Sequence, residues 1–147
     1  MVLLQSITIW LLGFAEQPYI VIWFLLDMRS NRVITTVALC EARHPIMIEG
    51  VSLDRAIYPQ VVENPMDFKA LEDHAYDWFS SERNLADIKE NDNWEINIYV
   101  TGLTPCLIAV LNIIQYFRDG GFRIRPILYH YNRDTQGYEA QAIHPNN

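Results

Sequence analysis

The stretch that decides the fold runs Trp94-Glu95-Ile96-Asn97-Ile98-Tyr99-Val100-Thr101-Gly102-Leu103-Thr104-Pro105-Cys106. Trp94 to Val100 is rich in β-branched and aromatic residues and predicts a strand. Gly102 supplies a tight turn. Thr104 suits a helix N-cap, and Pro105 suits the first helical position, where its missing N–H costs nothing. From Cys106, the residues Leu107, Ile108, Val110, Leu111, Ile113 and Ile114 make the next segment apolar nearly all round, which predicts a buried helix. Asp119-Gly120-Gly121 ends it with a glycine C-cap. A strand that feeds a buried helix through so short a turn is half of a βαβ unit.

Downstream, Phe122 to Tyr131 and Gly137 to Ile143 read as two strands joined by Asn132 to Gln136, a terminal hairpin. Upstream, Val33 to Leu39 is β-branched and apolar throughout, the pattern of a strand buried on both faces of a sheet. A polar loop, Cys40 to Pro45, follows it. Ile46-Met47-Ile48 and Val61-Val62 read as short extended pieces, with a helical turn over Leu53 to Ile57. A helix then starts where Asn64 can cap, Pro65 fits the first position and Asp67 favours the N-terminus. Phe68, Leu71, Ala75, Trp78 and Phe79 share one face of it, and Glu72, Asp73, Asp77 and Glu82 fall largely on the other, through about Lys89. The expected fold class is α/β. It is a small Rossmann-like sheet of about four strands, with two main helices, a right-handed crossover between parallel strands and a C-terminal antiparallel hairpin.

Composition narrows the function. The chain has 147 residues, half of them hydrophobic, enough for one globular core. A formal charge of −7 argues against a protein that coats duplex nucleic acid by neutralising phosphates. Cys40 and Cys106 lie in apolar surroundings without metal-ligand or disulfide spacing and read as small buried hydrophobes. His74 and His144 have no partner at zinc spacing, so no metal is expected. The chain lacks the nucleoside-triphosphate and three-glycine dinucleotide patterns, and no cofactor is expected.

Residues 1–27 stand apart. Met1 to Leu26 holds no Lys or Arg and a single acid, Glu16. Residues 2–26 are long enough to span a membrane, although Glu16 would sit near its midplane. Arg29 and Arg32 would then lie on the cytoplasmic side. They can also be read as a hairpin turning at Ala15 to Pro18, or as an apolar segment preceding a start at Met28. A secretory signal is disfavoured, because the first positive charge, Arg29, follows the apolar run instead of preceding it. The domain reading is 28–147 as the Rossmann-like α/β domain, with 1–27 as a separate apolar segment.

In an open parallel sheet, ligands bind outside the carboxyl ends of the strands. Two loops leave such ends here, Cys40 to Pro45 and Thr101 to Pro105. Around Thr101, Gly102, Leu103 and Thr104, backbone N–H groups, two hydroxyls and a helix N-terminus can converge on an anion. Arg43 could add charge, and His44 a proton-transfer group that titrates near neutrality. Tyr129 and Tyr131 alternate with His130 on the hairpin and could stack on bases or pack against the helices.

The strand Ile96 to Val100, the turn Thr101 to Pro105, the apolar helix through Phe117 and the hairpin from Phe122 resemble the C-terminal part of CARF-type domains. More closely, they resemble the small CARF-like ring nucleases of type III CRISPR systems. The resemblance covers roughly Val33 to Ile143. It implies a cytoplasmic homodimer that binds a cyclic oligoadenylate in an antiviral response, with Thr101, Gly102, Leu103 and Thr104 at the phosphates and Arg43 and His44 completing the pocket. It further implies metal-independent cleavage by attack of a ribose 2′-OH, with His44 as acid or base. The Lys that often follows the Thr-Gly turn in the family is replaced here by Leu103-Thr104-Pro105. Two other function classes fit the sequence: a non-catalytic protein-interaction module, and a small α/β protein tethered to a membrane through residues 2–26.

Overall fold

The structure is a computed structural model that describes residues 32–41, 45–59, 61–90 and 93–144. The readings made for residues 1–27 lie outside it. Five strands form the main sheet: β1 (Arg32–Cys40), β4 (Ala56–Tyr58), β5 (Asn93–Tyr99), β6 (Ile124–Asn132) and β7 (Gly137–Ala142). A two-stranded ribbon, β2 (Met47–Ile48) and β3 (Val51–Ser52), lies between β1 and β4 in sequence. Three helices complete the described residues: α1 (Phe68–Ser80), α2 (Glu82–Glu90) and α3 (Thr104–Asp119). The sheet order is β4-β1-β5-β6-β7, parallel except for the β6–β7 hairpin. The expected α/β class holds, with a fifth strand where β4 adds to the edge.

The handedness of parallel crossovers accounts for the two faces of this sheet. From β1 the chain steps one way to β4, and the next two crossovers step the other way, to β5 and then β6. If every crossover is right-handed, the first must lie on the opposite face from the other two. The packing follows that rule. Leu71, Ala75 and Phe79 of α1 join Cys106, Val110, Ile114 and Phe117 of α3 over Val37, Leu39, Ile96, Ile98, Ile124 and Leu128. Across the sheet, Ile46 and, from its rim, Ile48 and Leu53 of the ribbon segment pack with Ala38, Tyr99, Tyr129 and Tyr138.

Several local expectations are corrected. β1 is buried on both faces only from Val37 to Cys40; Ile34 is 56% exposed and Thr36 half-buried, because the ribbon is too short to cover the strand's first half. Leu53 to Ile57 forms no helical turn: Ala56 to Tyr58 pairs with β1 as a strand. Val61-Val62 is irregular, and only Met47-Ile48 of the Ile46 to Ile48 piece enters a strand. α1 begins at Phe68, not at Pro65. Asn64 instead closes a turn, its Oδ1 accepting from the Met66 N–H, and the Asp67 side chain caps the helix by accepting from the Ala70 N–H. The helical stretch is also two helices, since Ser81 breaks it. Phe68 is exposed, and so are Ile108 and Tyr116, so α3 shows one open face instead of being buried all round.

Phe79 is the hub of the helical layer. Its ring lies 4.9 Å from Trp78, 5.7 Å from Trp94 and 6.0 Å from Phe117, centroid to centroid. It is fully buried. Phe79→Ala should cost about 3–5 kcal/mol of stability, whereas Phe68→Ala on the exposed turn should stay within about 0.5 kcal/mol. Urea unfolding of the two variants checks the contrast.

Candidate functional site

The sheet changes direction of winding between β1 and β5, which makes these strand ends the topological switch point, where open α/β sheets take ligands. The loop after β1 starts at Cys40, and the loop after β5 contains Thr101 to Thr104. The start of the first expected loop, Cys40, and the second loop's Thr101 therefore lie side by side.

Thr101 holds that junction. The β1–β5 ladder ends at the pair Ala38 and Tyr99. Beyond it, the Thr101 Oγ1 accepts from the Cys40 N–H at 3.2 Å and donates to the Cys40 carbonyl at 2.6 Å. A side chain thus does the work of one more backbone pair where the strands part. Expected at the phosphates, Thr101 here has its hydroxyl engaged within the protein. Gly102 follows at φ +89°, and a Cβ there would sit 2.9 Å from both the Cβ and the Sγ of Cys40. Conformation and space both require glycine at this turn.

Leu103, in extended conformation, is the N-cap of α3, and no side chain caps the helix. Thr104, expected as the cap, is instead the first helical residue and is exposed. Pro105 has no N–H to offer, and the Cys106 N–H donates to the Leu103 carbonyl. Among the described residues, the N–H groups of Gly102, Leu103 and Thr104, with the Thr104 hydroxyl, are left pointing to no internal acceptor. This donor set suits an anion at the head of a helix. Leu103 itself is 40% exposed and adds an apolar edge. Arg43 and His44 lie outside the described residues.

Beneath the turn sits a feature that sequence spacing did not reveal. Cys40, at the end of β1, and Cys106, in the first turn of α3, form a buried thiol pair. Burial, and next the Cys40 thiol, push the Cys106 thiol well above the ordinary thiol range. Burial likewise raises the Tyr58 phenol, with smaller contributions from Cys106 and Cys40. Tyr58 donates to the Leu71 carbonyl at 2.8 Å and stacks on His74, whose Nε2 lies 2.8 Å from the Ile57 carbonyl oxygen. Parallel pairing of β1 with β5 brings the end of one strand beside the turn that leaves the next, and so Cys40 beside Cys106, a neighbourhood that no local signal in the sequence marks.

The hairpin tyrosines pack away from the helices. Tyr129 stacks on Tyr99 at 4.7 Å, and Tyr138 meets Tyr99 edge-on, all on the ribbon face. Tyr131 alone is exposed among them. No group of three His, Cys, Asp or Glu among the described residues could hold a metal ion. None of the described helices is long and apolar enough to cross a membrane. No family model, curated protein or solved structure matches the chain.

Thr101→Val removes both bonds to Cys40 and should cost about 1–3 kcal/mol, while Thr101→Ser retains most of it; urea midpoints discriminate them. The raised thiol and phenol fix a sign for pH. Both groups keep their protons longer in the folded chain, so their contribution is complete below the unfolded thiol value of about 8.5 and is lost as pH rises above it. Unfolding midpoints measured from pH 7 to 11 should fall on the alkaline side, and less steeply in Cys106→Ala.

Proposed function

We propose that the crevice between the ends of β1 and β5 binds a phosphate-bearing, nucleotide-like ligand, and that this ligand is a cyclic oligoadenylate. One observation carries the reading: the switch point of the sheet falls on the turn that leaves the Gly102, Leu103 and Thr104 N–H groups and the Thr104 hydroxyl without internal acceptors. A helix N-terminus and backbone donors at a switch point are where open α/β sheets take phosphates. The identity of the ring rests on the resemblance to CARF-type domains alone.

In this reading the protein is a cytoplasmic homodimer, and each subunit gives one turn to the ring. Thr101 holds the turn in place by its bonds to Cys40, and Gly102 lets the backbone approach. Arg43 adds positive charge from the loop after β1. If the ring is opened, the 2′-OH gives up its proton and forms an O2′–P bond to the adjacent phosphorus, the P–O5′ bond breaks to leave a 2′,3′-cyclic phosphate, and the 5′ oxygen takes a proton. His44 serves as the acid or base, and the backbone N–H groups stabilise the charge on the phosphoryl oxygens.

A second reading is a module that binds another protein without catalysis. It is favoured by the exposed apolar side chains of the helical layer, Tyr76 and Phe68 on α1 with Ile108 and Tyr116 on α3.

The deciding measurement is the melting temperature of the full chain with cyclic tri-, tetra- and hexa-adenylate, with chromatography of the mixtures. A ring at about 100 times its dissociation constant adds roughly 2.7 kcal/mol of stability. The expected result is a shift with one ring size, and linear product that His44→Ala abolishes while the shift persists. A flat response to all three rings rejects the nucleotide reading and leaves the interaction module.

A further inference from the structure

At the other end of the sheet, where β5 and β6 begin, lies a cleft of about 430 Å³. Arg118, Arg123, Arg125 and His144 line it together with Phe122 and Asn93, and among the described residues no Asp or Glu does. Three arginines therefore line one cleft on a chain whose formal charge is −7. They come from separate elements: Arg118 from the last turn of α3, Arg123 from the loop before β6, and Arg125 from β6 itself. His144 follows β7.

Arg118 is fixed in position. Its Nε donates to the Ile124 carbonyl at 2.8 Å and its Nη2 to the Ile143 carbonyl at 3.2 Å, so the guanidinium ties α3 to β6 and to the end of β7. A guanidinium has five N–H donors in a rigid fork, and these two bonds use two of them, while Arg118 also lines the cleft. Arg125 has a carboxylate neighbour, Glu95, at 4.0 Å, but that carboxylate is already paired with Arg32. One acid is thus shared between two arginines, and the cleft retains a positive excess. Arg123 is exposed at the mouth.

We propose that this cleft is a binding site for a ligand with two or more linked phosphate groups. Arg118 is its preset fork, and Arg123 and Arg125 close on the further charges. A single carboxylate would leave most of this charge unmatched, whereas linked phosphates present several oxygens to several forks at once. The site is separate from the switch-point crevice and does not depend on what that crevice binds.

The test is calorimetric titration of the full chain with pyrophosphate, tripolyphosphate and orthophosphate. Saturable binding of pyrophosphate is expected at a dissociation constant on the order of 1 mM or lower, with orthophosphate at least about tenfold weaker. Arg123→Glu, at an exposed position that leaves the fold intact, should weaken pyrophosphate about tenfold or more. Arg133→Glu makes the same change of charge on the hairpin turn and should leave binding within about twofold. Absence of saturable binding, equal affinity for orthophosphate and pyrophosphate, or equal weakening by both variants would each overturn the proposal. Loss of pyrophosphate binding in Arg123→Glu with an unchanged response to cyclic oligoadenylate separates this site from the crevice.

Discussion

Everything in this domain depends on β1 having partners on both sides that are reached by crossovers of one hand. The step from β1 to β4 goes one way and the steps to β5 and β6 go the other, so the connections are divided between the faces. The helical layer takes the two later connections and the bulk of the apolar surface, with Phe79, Trp94 and Phe117 at its centre. The ribbon takes the first. Where the two directions part, the backbone ladder between β1 and β5 stops and the Thr101 hydroxyl continues it for one more residue. The crevice is a product of topology, and the chemistry of its rim is a product of the turn.

The imbalance between the faces explains the polar residues within the strands. A parallel sheet covered by helices on both faces needs apolar residues at nearly every strand position. Here the described residues cover the second face only near the strand ends, by the ribbon and the tyrosine stack. Towards the strand starts it carries Glu95, in register with Ile34 and Arg125, and Asn97, in register with Thr36 and Ile127. Glu95 is buried, but it is held by Arg32 with Arg125 nearby, which is the condition for keeping a carboxylate out of water. The same arginine that borders this ion pair also borders the basic cleft, so one cation row links the open face of the sheet to its lower end.

What could be read in advance follows from which signals are local. Trp94 to Pro105 gave strand, turn and helix because branched residues, Gly102 and Pro105 act within a few positions of themselves. The glycine was placed in a turn, but that its missing Cβ makes room for Cys40 is a fact about a strand 62 residues away. Thr104 had the right chemistry for a cap and lost the position to Leu103, because Pro105 can sit at the second helical residue as well as the first. β4 escaped notice since Ala56, Ile57 and Tyr58 are too few to show a period, and become a strand only by pairing with Ala38 and Cys40. The neighbouring of the β1 and β5 ends was legible because adjacent strand ends can be placed by order alone. The thiol pair and the arginine cleft were not, because each gathers residues from elements distant in sequence.

The Thr101 clamp also has a consequence for the time at which the domain can form. The local strand pairings are β2 with β3 and β6 with β7; β1 must wait for β5, whose clamp residue lies 61 positions further on. At a synthesis rate of roughly 5–20 residues per second, that wait lasts about 3–12 s, during which β1 is exposed without its longest neighbour. Its early half carries Arg32, Thr35 and Thr36 among the apolar residues. Arg32 and Thr36, which the open face tolerates in the finished sheet, and Thr35, whose hydroxyl accepts from the Trp94 indole on the helical face, therefore also break up β1 as a sticky segment while the chain is still incomplete.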